Sequence, residues 1–101
     1  MESWVYASSA DKKLFRFISS ICGHNDDLLK FLFDSRNPNL RLPVDSLLKT
    51  ASGFCSTDYL LIKLSIDIWC EQGSFNFHQL FNFEPEIFKR ILLALTEHHL
   101  T

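Results

Sequence analysis

Glycine is scarce, and so is the chemistry that depends on it. The three glycines, at 23, 53 and 73, each follow an amphipathic stretch and never cluster. That excludes a Gly-rich loop of the kind that cradles phosphates. The three cysteines, Cys22, Cys55 and Cys70, are odd in number and widely spaced. They supply neither a disulfide framework nor a C-x-x-C pair, so reduced, mostly buried thiols are expected. Neither sign of charge is in excess. Ten Lys and Arg against twelve Asp and Glu leave a net charge of −2, which gives no long-range pull toward nucleic acid or an anionic membrane. No apolar run reaches the roughly 18–20 residues that a membrane helix needs. The first residues lack both a basic region and a continuous apolar one. A soluble, cytoplasmic protein without membrane contact is the expectation. No segment repeats at a fixed period.

What is present is apolar and aromatic. Nearly half the residues, 47%, are hydrophobic, which excludes disorder. Phenylalanine alone occurs ten times, at 15, 17, 31, 33, 54, 75, 77, 81, 83 and 88. The length of 101 residues suits one domain spanning 1–101. A domain of this size buries about 60–68% of its unfolded surface. Either the core is unusually aromatic or some Phe stay outside, and an exposed apolar patch marks an interface.

The most apolar stretch, Ser56–Glu71 (STDYLLIKLSIDIWCE), organises the rest. Leu60, Ile62, Leu64, Ile66 and Ile68 alternate with a second set, as in a strand. A helix fits as well, with Lys63, Asp67 and Cys70 or Glu71 as a polar stripe and a Lys63–Asp67 pair four residues apart. Length and ends favour the helix. Sixteen residues is long for a strand. Ser56 or Thr57 suits an N-cap, Asp58 suits the first turn, and Gly73 suits a left-handed C-terminal position.

Amphipathic stretches flank it. A first helix is expected over Ala10–Cys22, with Ser8 and Asp11 at capping spacing and Leu14, Phe17, Ile18, Ile21 and Cys22 on one face; Gly23 stops it. A second is expected over Asp26–Ser35, capped by Asn25, with Leu28, Leu29, Phe31, Leu32 and Phe33 covering more than half its circumference. Arg36–Leu42 is a loop around the turn signal Asn37-Pro38. Its Arg36 and Arg41 are weighed as an anion clamp and read as solvated. A third helix is expected over Pro43–Ser52. A short one over Phe77–Phe81 has Asn76 and Gln79 at capping-box positions and Phe75 with Leu80 as a staple. The last is expected over Glu84–His99, with Ile87, Phe88, Ile91, Leu92 and Leu95 as its apolar face and Leu93 on the polar side.

Cys22-Gly23-His24 is isolated, and His98-His99 are adjacent on a helix and point about 100° apart, so no metal site is expected. Nothing in the spacing pairs a nucleophile with an oriented base; a meeting of Cys70 with His78 in space is left open, and Cys70 reads as a core thiol. The carboxylate pairs Asp26-Asp27 and Glu84/Glu86 sit at helix starts, where the dipole favours them. The last two helices outline a helix-turn-helix, but Glu84 and Glu86 at the start of the recognition position repel phosphate.

The fold expected is all-α: a small bundle of about five short helices around a central apolar helix. The alternative is α+β, with Leu60–Ile68 as a strand beside Phe75–Phe77. The function expected is a small non-catalytic protein-interaction or self-associating domain, not an enzyme, without cofactor or metal. Its partner is itself, as a homodimer, or another protein, with nucleic acid unfavoured; a helical DNA-binding or transcription-regulatory accessory protein is the alternative. The expected contact residues are Trp4, Tyr6, Phe31, Phe33 and Leu93, from an aromatic arm, the broad second helix and the outer side of the last.

Overall fold

The structure, a computed structural model, describes Trp4 and residues 7–100, with side chains as far as Glu97. Among the described residues the regular elements are helices: α1 (Ser9–Ile21), α2 (Asp26–Leu32), α3 (Val44–Ala51), α4 (Ser56–Cys70), a 3-10 helix (Phe77–Asn82) and α5 (Pro85–Leu100). The strand alternative for Leu60–Ile68 is excluded, since that segment lies inside α4. The sole β-type pairing among them is a single antiparallel bridge between Phe33 and Leu40. The radius of gyration is 12.9 Å, close to the ~13 Å of a folded chain of this length.

α4 is the hub. It packs against α1, α2 and α3, while α5 packs chiefly on α1. Being surrounded, α4 buries Leu60, Leu61, Ile62, Ser65 and Ile66. Ser65 is the polar member, and its hydroxyl donates to the Leu61 carbonyl at 2.7 Å. That local bond satisfies a group whose burial unpaired costs about 1–3 kcal/mol.

Short-range capping sets most helix starts. The Ser8 hydroxyl accepts from the Asp11 N–H at 3.0 Å. The Asn25 side chain accepts from Asp27 at 3.0 Å and Leu28 at 3.3 Å. The Asn76 N–H donates to Gln79 Oε1 at 2.8 Å, the capping-box contact expected, though the element it opens is 3-10 rather than α. α4 departs from expectation: Cys55 is its N-cap and makes no side-chain cap bond.

α1 ends in a Schellman turn. The Gly23 N–H donates to Ser20 O and the His24 N–H to Ser19 O, with Gly23 at φ 65°, the conformation that glycine tolerates best. Arg90 of α5 reaches this end and donates from Nε to the Ile21 carbonyl at 2.8 Å. A guanidinium there also complements the negative end of the α1 dipole, so one side chain ties α5 to α1.

α2 stops at Leu32, three residues before the expected Ser35. Phe33 leaves the helix with ψ 146°, bridges to Leu40 and turns its ring into the core. The Asp34 carboxylate then accepts the N–H groups of Arg36 at 2.7 Å and Asn37 at 3.0 Å, closing the loop as an Asx turn. Arg41 is anchored to its own chain. Its Nε donates to the Phe31 carbonyl at 3.0 Å, and its guanidinium lies 5.3 Å from the Phe31 ring centre.

Those two N–H donors hold the Asp34 carboxyl below its ordinary value. A depressed folded-state pKa means stability that is present above the unfolded value and lost as pH falls through the folded one. The urea midpoints of the wild type and Asp34→Ala should therefore differ at pH 6 and converge as pH falls below about 4. A gap unchanged with pH would contradict the assignment.

The Lys63–Asp67 pair is replaced by something more useful to the fold. Asp67 accepts from the Gly73 N–H at 2.6 Å and the Phe75 N–H at 2.8 Å, folding the chain after α4 back along the helix. Lys63 instead lies 5.4 Å from the Tyr59 ring centre. The left-handed residue that ends α4 is Glu71, at φ 64°, not Gly73.

Candidate functional site

The expected contact residues divide sharply. Trp4 and Phe33 are buried, at 4% and 2% exposure. Both belong to an aromatic quartet with Phe15 and Trp69. Trp4 lies 5.1 Å from Phe15, 5.5 Å from Phe33 and 5.9 Å from Trp69, centre to centre. Phe33 lies 5.3 Å from Phe15 and 5.0 Å from Trp69. The tilted and edge-on geometries are the ones the ring quadrupoles favour. The Trp4 indole N–H donates to the Asp34 carbonyl at 2.8 Å, so its polar edge is satisfied as well. Trp4 is held on its own chain because this pocket fits both ends of the indole. Tyr6 lies outside the described residues. Phe31 is half-buried under Arg41 and packs edge-on against Phe54 at 5.0 Å. Leu93 is exposed, on the outer side of α5.

An apolar surface lies elsewhere, along the 3-10 helix and α5. A helix turns 100° per residue, which separates two rows on α5. Ile91 and Ala94 are buried and Ile87 half-buried against the core. Phe88, Leu92 and Leu95 lie about 100° round from them, with Leu92 and Leu95 nearly half exposed. The expected single apolar face, Ile87 with Phe88, Ile91, Leu92 and Leu95, is therefore split. α1 covers one row; of the other, Phe88 is half-buried against the core while Leu92 and Leu95 are left open. The Phe81 ring stacks on Phe88 at 6.0 Å and 24°, extending the open row onto the 3-10 helix. Phe77 and Phe81 are 79% and 71% exposed, the highest values of any large apolar side chain described.

The sequence carried a signal for this surface. Ala94, Ile91, Ile87, Leu95, Phe88 and Leu92 span more of the α5 circumference than one neighbouring helix covers. The short helix before it carries two phenylalanines four residues apart.

Elsewhere the described surface offers little chemistry. A groove of about 450 Å³ between α1 and α5 is lined by Ser9, Lys13, Arg16, Phe17, Ala94 and Glu97, where cations and an acid share the walls. Burial pushes the Cys22 thiol up, against a weaker opposing contact with the Ser65 hydroxyl, the opposite of what activates a nucleophile. Cys70 is half-buried and His78 exposed. Among the described residues no three His, Cys, Asp or Glu side chains gather as a metal site, and no helix is long and apolar enough to cross a membrane. The start of α5 presents Glu84 and Glu86 to solvent.

No protein-family model, no curated protein and no solved structure matches this chain. Function rests on the surface itself.

Proposed function

We propose that this chain is a small non-catalytic association module that engages protein, its own copies included, through the patch formed by Phe77, Phe81, Phe88, Leu92 and Leu95. The observation that supports this is the stacked Phe81–Phe88 pair continued by Leu92 and Leu95 along α5. Isolated apolar residues are ordinary on a surface. A run of large ones on adjoining elements is not, and such patches mark sites of association. Aromatic rings with few rotatable bonds suit that task, because ordering them on contact costs little entropy.

The test compares retention by the tagged wild type and by a Phe81→Ser/Leu92→Ser variant. The prey are proteins of the source cells together with a differently tagged copy of the chain. Association through this patch predicts at least one species held by the wild type and reduced about tenfold or more by the variant, equivalent to about 1.4 kcal/mol. Equal retention by both would contradict it.

A further inference from the structure

We infer that the patch receives a second copy of this chain, in a parallel pairing of two α5 helices about a two-fold axis. This rests on the association surface proposed above and names its occupant.

The spacing of the open row is the first argument. Phe88, Leu92 and Leu95 follow one another at four and then three residues. That spacing is shared by amphipathic helices in general and also fits a single heptad of a coiled-coil seam, with Phe88 and Leu95 at d positions and Leu92 at a. The row is narrow and spans only about 10 Å of helix at 1.5 Å per residue. A second α5 presents a seam of the same width, length and spacing, and a two-fold contact uses one patch twice.

The charges at the rim select the parallel direction. With the seam so placed, Lys89 stands at e, and Glu84, which immediately precedes α5 and whose carbonyl accepts the Phe88 N–H, stands at the g level one turn before it. In a parallel pair, g of one helix faces e of the other five residues on. Glu84 then faces Lys89 of the second copy, and the symmetry makes this contact twice. Both side chains are exposed and free to reach across. In an antiparallel pair e meets e and g meets g, so Lys89 faces only Lys89 or Thr96 and the opposite charges go unmatched. The parallel arrangement also sets the two Phe81–Phe88 stacks side by side at one end. The seam then continues past Pro85 onto the 3-10 helices, where exposure is greatest.

Cross-linking tests the direction. In a Cys55→Ser background, which removes the exposed native thiol, Leu92→Cys and Leu95→Cys are introduced separately and mildly oxidised. A parallel two-fold pair sets every seam position opposite its own counterpart, within disulfide reach, so both variants should form covalent dimers. An antiparallel pair allows self-linking at one level at most. One cross-link or none overturns the inference. The rim is tested by sedimentation. Glu84→Lys and Lys89→Glu should each weaken self-association about fivefold, and the double exchange should restore it to within about twofold, the scale of exposed ion pairs. Single variants without effect would overturn the parallel register. A chain that stays monomeric overturns the second copy as occupant. The association surface is then judged by the retention comparison alone, so the two failures are distinguishable.

Discussion

Replacing Trp4 with alanine should destabilise the fold by about 3–5 kcal/mol, the range for removing a buried large aromatic side chain. Two losses combine. The indole leaves three ring partners at 5.1–5.9 Å, and the Asp34 carbonyl loses its donor. Against a total stability of about 5–15 kcal/mol, that is a large share. At roughly 4–8 °C per kcal/mol for a domain of this size, thermal unfolding should fall by well over 10 °C. Trp4→Phe keeps most of the apolar contact and loses the N–H, so a smaller cost of about 1–2 kcal/mol is expected. Phe77→Ala is the contrast. Its ring is 79% exposed, and the change should stay within about 0.5 kcal/mol. Urea midpoints of the three variants check the order. A Trp4→Ala protein as stable as Phe77→Ala would mean that Trp4 does not belong to the core.

Gly73→Ala should be the most damaging conservative change in the chain. A Cβ at this position would overlap the Lys63 carbonyl oxygen and sit 2.7 Å from the Asp67 backbone nitrogen. Both are backbone atoms of α4, which cannot step aside like the end of a long side chain. Relief requires the segment after α4 to lift away, and that breaks the bonds from Gly73 and Phe75 to the Asp67 carboxylate. Overpacking of this kind costs about 1–3 kcal/mol, and losing charge-assisted hydrogen bonds adds about 1.5–3 kcal/mol more. Gly53→Ala is the control, since its Cβ would meet only the Thr50 carbonyl at an ordinary 3.6 Å. That substitution should be neutral or stabilising by up to about 1 kcal/mol, because alanine narrows the unfolded ensemble. Equal effects at the two glycines would contradict the close approach at Gly73.

What the sequence revealed and what it hid follow from the range of the interactions. Ser8 with Asp11, Asn25 with Leu28 and Asn76 with Gln79 are contacts over three residues, so spacing alone disclosed them. The central helix was legible because Ser56–Cys70 is too long and too apolar for the edge of so small a bundle. The end of α2 was not. Phe33 leaves its helix to join Trp4, Phe15 and Trp69, which lie 29, 18 and 36 residues away along the chain, and no local pattern reports such a meeting. The same range explains Trp4 itself. An early tryptophan reads equally as a docked arm or a free contact until its pocket is seen. Gly73 was noticed as the residue after a helix, where left-handed backbone is common. Its true requirement, room beside the α4 backbone, depends on the chain folding back onto Asp67.

The surface followed the same rule. The α5 pattern gave an apolar arc but not which part of it α1 would cover. A rotation of 100° decides whether Leu92 and Leu95 or Ile91 and Ala94 face the core. The surplus of phenylalanine left two readings open, an aromatic core or exposed rings, and both occur: Phe33 lies in the core, while Phe54, Phe77 and Phe81 are exposed.

The most direct measurement is the solution mass of the wild type and of the Phe81→Ser/Leu92→Ser variant by light scattering, over a tenfold concentration range, with a thermal melt of each. A patch that is built for association, not for the core, and that receives a second copy predicts a wild-type mass above that of a single 11.8 kDa chain and rising with concentration; a wild type that stays at one chain would contradict the second copy. Such a patch also predicts a variant that stays at one chain throughout and melts within about 4 °C of the wild type, the shift expected for less than 1 kcal/mol. A variant that melts more than 10 °C lower would show these side chains to be structural, and would contradict the assignment of this surface.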